Sequence, residues 1–263
     1  MFRTMVQRSL TYRALVELGD VGILFWKTLR NLLKKPHEYQ TLLQQLEEIG
    51  VRSLPVVSLT AAFGGLVFGF QTYIGFHRYI GAGSEALGGP IITLALAKEL
   101  IPILTGLMIS GRVGSSMAAE IGTMKITEQI DALHSLGANP VRYLVVPRTL
   151  AAFFMTPCLT LYGDIIGVAA GYFYMVVLMG VNRVTYLTNT TQYLELWDVM
   201  TGLIKAAVFG IVIAIVGCWQ GMETEGGAEG VGRATTRTVV ISSITILILN
   251  FFISKALPAS LSQ

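Results

Sequence analysis

The 25 residues between Arg52 and Arg78 carry no formal charge, and a run of that length suits a bilayer, whose hydrocarbon core takes ~20 apolar residues of helix to cross. The pattern recurs. From Ala86 to Gly111 a second apolar stretch is interrupted only by Lys98-Glu99, and the 34 residues between Arg148 and Arg183 contain the single charge Asp164. A fourth run follows Asp198 to Gly221 around Lys205, and a fifth covers Thr238 to Ser254. Five spans are expected, at about 53–77, 86–111, 147–181, 199–221 and 238–256. Charged residues make up 13% of the 263 and hydrophobic ones 53%; a soluble domain carries ~25% charged residues. That composition excludes a water-faced globule and a disordered chain alike, and a net charge of +3 excludes a basic nucleic-acid binder. The fold class is an all-α polytopic membrane protein.

An odd number of spans puts the termini on opposite sides, and Lys and Arg decide which. Segment 1–52 holds eight basic residues, the 112–148 connection four and the 222–237 loop two, against Arg78, Arg183 and Lys255 on the other side. Fourteen against three predicts a cytoplasmic N-terminus and a C-terminus outside. Residues 1–50 read as an N-terminal interfacial region, and 51–258 as the five-span domain. Leu15, Leu18, Ile23, Leu24, Phe25, Trp26, Leu29, Leu32 and Leu33 supply one apolar face, Lys27, Arg30, Lys34 and Lys35 a basic one. Such a helix lies at headgroup depth, and Pro36 should end it. With charges spread through its first residues, this N-terminus lacks the apolar stretch of a secretory signal, and its early acids argue against a transit peptide.

Chemistry-bearing motifs are sparse. The sequence contains no G-x-x-x-x-G-K-[ST] phosphate loop, so any ATP would be hydrolysed elsewhere. His37, His77 and His134 are scattered, no metal-ligand spacing occurs, and Cys158 and Cys218 sit in apolar runs as small hydrophobes. The informative residues are intramembrane charges, each costing roughly 2.5–3.5 kcal/mol at mid-bilayer and usually facing a bundle interior or wet cavity. Lys98, Asp164 and Lys205 all lie about 20–25 Å from the cytoplasmic ends of their spans at ~1.5 Å per residue. One charged layer of Lys98, Glu99, Asp164 and Lys205 is therefore expected. Neighbours in sequence cannot simply neutralise each other on a helix, so Lys98 and Glu99 each need another partner: Lys205, Asp164 or a substrate headgroup. These contacts either hold spans together or form a site. On the first span Phe63, Leu66, Phe70 and Tyr73 recur at helical spacing, as core or as a wall for an apolar tail, with Gln71 and Tyr73 as polar edges. Gly65 and Gly69, and Gly163, Gly167 and Gly171, are ridges for close helix contact within one chain or between two.

The connection after the second span reads GRVGSSMAAEIGTMKITEQIDALHSLGANPVRYLVVPR (111–148). Ile126, Ile130 and Leu133 predict a short amphipathic helix over 123–136, stopped by Gly137 and Asn139-Pro140. Here the sequence becomes specific. KELIPILTGLMISGRVGSSMAAEIG (98–122), the block that follows it through Arg148, and GVGRATTRTVVISS (230–243) strongly resemble the MlaE (YrbE) family, permease subunits of MCE-associated ABC transporters.

The resemblance implies a five-span homodimeric permease in a bacterial inner membrane, with a periplasmic C-terminus. Its partners would be a cytosolic ABC ATPase dimer, which uses ATP and Mg, an MCE-domain hexamer and, in many systems, a STAS-domain subunit. The substrate implied is phospholipid or another lipid, moved between the inner membrane and the outer envelope. No cofactor is expected on this chain. The 123–136 helix becomes the coupling helix, with Arg112, Glu120, Glu128 and Asp131 as contacts to the ATPase. The substrate pathway is expected at Leu66, Phe70, Gln71, Tyr73, Lys98 and Glu99, with Asp164 and Lys205 completing the charged layer. Lys98 stands where the family also uses Arg, keeping the charge without the bidentate fork. Two other readings of the residues stay open: an ion-coupled secondary transporter with Asp164 and Glu99 as proton carriers, and a scaffold that only anchors an MCE ring.

Overall fold

The computed structural model describes residues 2–32, 39–79, 81 and 84–257. Its elements are α1 (Phe2–Leu32), α2 (Tyr39–Ile49), α3 (Leu54–Tyr79), α4 (Gly88–Ala95), α5 (Ile101–Ile109), α6 (Ser115–Ile126), α7 (Gln129–Ser135), α8 (Val146–Tyr172), α9 (Arg183–Tyr193), α10 (Leu196–Met222) and α11 (Gly227–Ala256). Short 3₁₀ and π turns fuse several of these into rods. Five rods are long and apolar enough to cross a membrane: Tyr39–Tyr79, Glu85–Ile126, Val141–Leu178, Leu196–Met222 and Gly227–Ala256. All-helical construction follows from lipid as solvent, since a helix satisfies its own backbone polar groups where water cannot. The rods extend past most of the expected limits, because helices project beyond the hydrocarbon while charge-free runs mark only the part inside it. Pro36, the expected stop of the first helix, lies outside the described residues; α1 is described to Leu32.

α8 is the central pillar, packed along α3 on one side and α10 on the other. Small residues permit this. A methyl group on Gly65 would strike the carbonyl of Gly167, one on Gly163 or Gly167 would press on Ile101, and one on Gly210 would meet the carbonyl of Ala152. The two glycine ridges thus face each other inside one chain, joining the first span to the third. In lipid, close backbone approach of this kind takes over from the hydrophobic effect as the source of helix association. The outward faces are apolar instead: Phe63 on α3 is 60% exposed and Phe251 on α11 is 64% exposed.

The connection after the second span differs from expectation. α6 continues the second rod to Ile126, and α7 is a separate helix of seven residues. Between them Glu128 adopts φ 60°, the left-handed region, so the expected single helix over 123–136 is broken. Ile130 is buried and Leu136 is 82% exposed. Gly137, at φ 74°, ends the helix as its sequence position indicates.

A further helix had no counterpart in the hydropathy pattern. α9 links the third and fourth spans at the opposite end of the bundle and packs on α4. Asn182 caps it by accepting hydrogen bonds from the backbone N–H groups of Val184 and Thr185. Tyr186 anchors it, and burial pushes the phenol up to about 12, so the ring stays neutral.

Candidate functional site

The site starts at a proline. Pro102 has no N–H to return to the carbonyl of Lys98, four residues back, and the rod loosens into a π turn over Leu96–Leu100. Such turns are frequent at functional positions. The Lys98 carbonyl accepts instead from Lys205 Nζ on α10, at 2.9 Å. The same ammonium donates to Glu99 Oε1 at 2.7 Å. Glu99 also accepts from Asn250 Nδ2 at 3.0 Å through its other oxygen, and from Ser254 Oγ at 3.0 Å. Three spans therefore converge on one carboxylate.

Lys98 takes another route. Its ammonium donates to Asp198 Oδ1 at 3.0 Å, while Asp198 Oδ2 accepts from the backbone N–H of Glu195 in the box that opens α10. An acid in the first turn of a helix also suits the helix dipole. The layer thus consists of two ion pairs, each joining the second span to the fourth. Lys205 is wholly buried, and the Lys98 and Asp198 side chains are 16% and 10% exposed, but the Glu99 side chain is 38% exposed. Glu99 is the open edge of an otherwise closed and neutral arrangement.

Asp164 stays outside these pairs. Both of its carboxylate oxygens are buried and neither has a hydrogen-bond partner among the described residues. The structure thus brings Lys98, Glu99 and Lys205 together and adds Asp198 to them, while Asp164 takes no hydrogen bond from the group. Asn250 and Ser254 were missed because uncharged residues leave no mark in a hydropathy profile. Asp198 borders the charge-free run of its span, so its hydropathy marks an edge and not a partner. Along the first span, Leu66 and Tyr73 are half-buried and Phe70 and Gln71 are exposed. Phe70 meets Tyr174 edge-on and Tyr73 stacks on His77.

The four residues expected at an ATPase contact divide in two. Arg112 donates to the Glu48 carbonyl at 3.1 Å and to Ser53 Oγ at 2.7 Å, fastening the end of α2 to the second rod. Glu120 pairs at 2.8 Å with Arg148, a buried guanidinium at the foot of α8. Glu128 and Asp131 are exposed at the α6–α7 turn, where Asp131 reaches Lys125 at 3.4 Å. Glu120 also keeps exposed surface, its side chain being 52% exposed despite the pair with Arg148.

The Permease MlaE family model matches residues 42–256, which takes in all but the first three residues of the first span and every site residue named above. The chain belongs to the MlaE permease family. Among its relatives are probable ABC transporter permease proteins of Rickettsia typhi, 47% identical over 91% of this chain and 92% of the relative, and of Synechocystis, 44% identical over 81% and 80%. The chloroplastic protein trigalactosyldiacylglycerol 1 of Arabidopsis thaliana is 36% identical over 90% of this chain and 67% of its own length. This MlaE-family chain is thus an ABC transporter permease, the membrane-embedded component of a transporter of several subunits.

Proposed function

We propose that this permease moves phospholipid or a related lipid between the inner membrane and the outer envelope of a bacterium, driven by a separate cytosolic ATPase. The observation that carries the reading is the Glu99 arrangement. A carboxylate fixed by Lys205, Asn250 and Ser254, yet 38% exposed, offers a pre-organised acceptor for a headgroup at the edge of an apolar bundle. A relative named for a galactolipid supports a lipid substrate. Intramembrane charges of this kind mark substrate pathways more often than they mark plain packing.

In this reading the N-terminus is cytoplasmic and two copies face each other around the path, with Leu66 and Phe70 as its apolar wall and Gln71 and Tyr73 at its rim. The ATPase dimer engages Glu128 and Asp131, and an MCE hexamer, with or without a STAS subunit, completes the assembly.

The test is native mass spectrometry of the complex purified through this chain in mild detergent. Two copies with two ATPases, an MCE hexamer and bound phospholipid are expected. A lone oligomer without ATPase, even after crosslinking in cells, would overturn the proposal.

A further inference from the structure

At the other end of the bundle from Glu99 lies a second polar concavity with a different character. It has a volume of about 790 Å³ and opens between the last turns of α1, the end of α6, α7 and the loop that leads into the third rod. A volume of that order suits an organic group rather than a bare ion. Lys27 and Arg30 of α1 and Lys125 of α6 contribute cations, against the single acid Asp131, and Ile130, Val141 and Met222 are its larger apolar lining residues. Asp131 lies 3.4 Å from Lys125, with both side chains well exposed. Neither Lys27 nor Arg30 meets an acid among the described residues.

The depth of this concavity follows from its neighbours. Leu24 and Thr28 seat α1 on the bundle, both being buried. Immediately beside the two cations, Trp26 is 66% exposed and Leu29 is 46% exposed. A helix that turns tryptophan and leucine outward next to Lys and Arg lies at the boundary between acyl chains and headgroups. From Lys205 to Met222 along α10 is about 25 Å at ~1.5 Å per residue, most of the hydrocarbon thickness of ~30 Å. The concavity and the Glu99 arrangement therefore sit at opposite faces of the membrane.

We propose that this concavity is a site for the phosphodiester headgroup of an anionic membrane lipid, held by Lys27, Arg30 and Lys125 as a resident ligand rather than as cargo. Basic pockets between spans on the side richer in Lys and Arg have the chemistry to select such headgroups. The lipid would tie α1 to α6 and α7, so the amphipathic helix and the exposed turn at Glu128 would respond to the same leaflet. This inference depends only on the chain spanning a membrane and is independent of what the permease transports.

The test uses the purified full chain in nanodiscs of equal phosphatidylglycerol and phosphatidylcholine, released for native mass spectrometry without partner subunits. One retained phosphatidylglycerol per chain is expected, and K27A/R30A should weaken that preference roughly twenty-five-fold, at about a five-fold loss per cation. R233A, whose arginine pairs with Glu229 on α11, should leave it unchanged. Equal retention of the two lipids, or an undiminished preference in K27A/R30A, would overturn the proposal. Displacement of the lipid by millimolar inorganic phosphate would also overturn it, assigning the concavity to a soluble anion. If K27A/R30A loses its helical circular dichroism, acetylation of the wild-type chain decides: phosphatidylglycerol, but not phosphatidylcholine, must protect Lys27 and Lys125.

Discussion

Lys205 is the residue on which the polar layer turns. Its ammonium is wholly buried and has two acceptors, the Lys98 carbonyl and Glu99 Oε1. Taking away one partner of a buried pair costs about 3–5 kcal/mol because the other charge is left uncompensated; the partial exposure of Glu99 reduces this to about 2–3 kcal/mol. Glu99→Ala should therefore destabilise more than Lys205→Met, since Glu99 would keep Asn250 and Ser254 while Lys205 would keep one carbonyl. The double variant should recover most of the loss. Thermal unfolding of the four proteins in one detergent provides the cycle, and additive losses would deny the coupling. Asp164 should behave in the opposite way. A buried group without a partner costs about 1–3 kcal/mol, so Asp164→Ala should melt at the same temperature as the parent or above it. A fall of several degrees would reveal a partner that the described contacts lack. At this scale the sequence was half legible. Counting residues along a helix reports depth, and Lys98, Glu99 and Lys205 do meet in the structure. It does not report the direction in which a side chain points, so the depth of Asp164 said nothing about its partners.

Among the elements, the helix contacts of α8 make the sharpest contrast. Gly65 stands against the Gly167 carbonyl, whereas Gly75, further along α3, has nothing within reach of an added methyl group. Gly65→Ala should cost about 1–3 kcal/mol through overpacking, and Gly75→Ala should be neutral or stabilising by up to ~1 kcal/mol, since alanine is the better helix former. Melting curves of the two single variants check this, and equal effects would mean the ridges do not meet as described. The ridges themselves could be read from their spacing of four, but their partner could not, because a glycine ridge looks the same whether it faces its own chain or another. The break at Glu128 was hidden for a related reason. Ile126, Ile130 and Leu133 keep helical spacing across it, and a single residue with positive φ leaves that spacing nearly intact. The Asn182 cap was a signal of α9 available in advance, but the helix that follows is too polar to stand out in a membrane chain.

On the scale of the whole molecule, two regions of opposite character are linked by rigid rods. The second rod spans Glu85 to Ile126, carrying Lys98 and Glu99 in its first half and the turn at Glu128 and Asp131 just past its end. It is not uniform: π turns interrupt it at Leu96–Leu100 and at Ser110–Gly114, and Arg112, in the second of these, is clamped to Glu48 and Ser53. A push delivered at the α6–α7 turn would thus reach the Glu99 arrangement through one element with two places able to yield. Glu128 and Asp131 contribute little to the fold itself, since the Lys125–Asp131 pair is exposed and such pairs are worth about 0–1 kcal/mol. Charge reversal at both, E128K/D131K, should therefore leave the melting temperature of the isolated permease within a few degrees of the parent. In the assembled transporter the same variant should lose the link between ATP hydrolysis and lipid transport, with hydrolysis persisting or the ATPase released. Hydrolysis and transfer of a labelled lipid, measured side by side on proteoliposomes, separate these quantities. Transport and ATPase association both at parental levels would remove the turn from the coupling path, and the clamp at Arg112 would then be the next place to look for it.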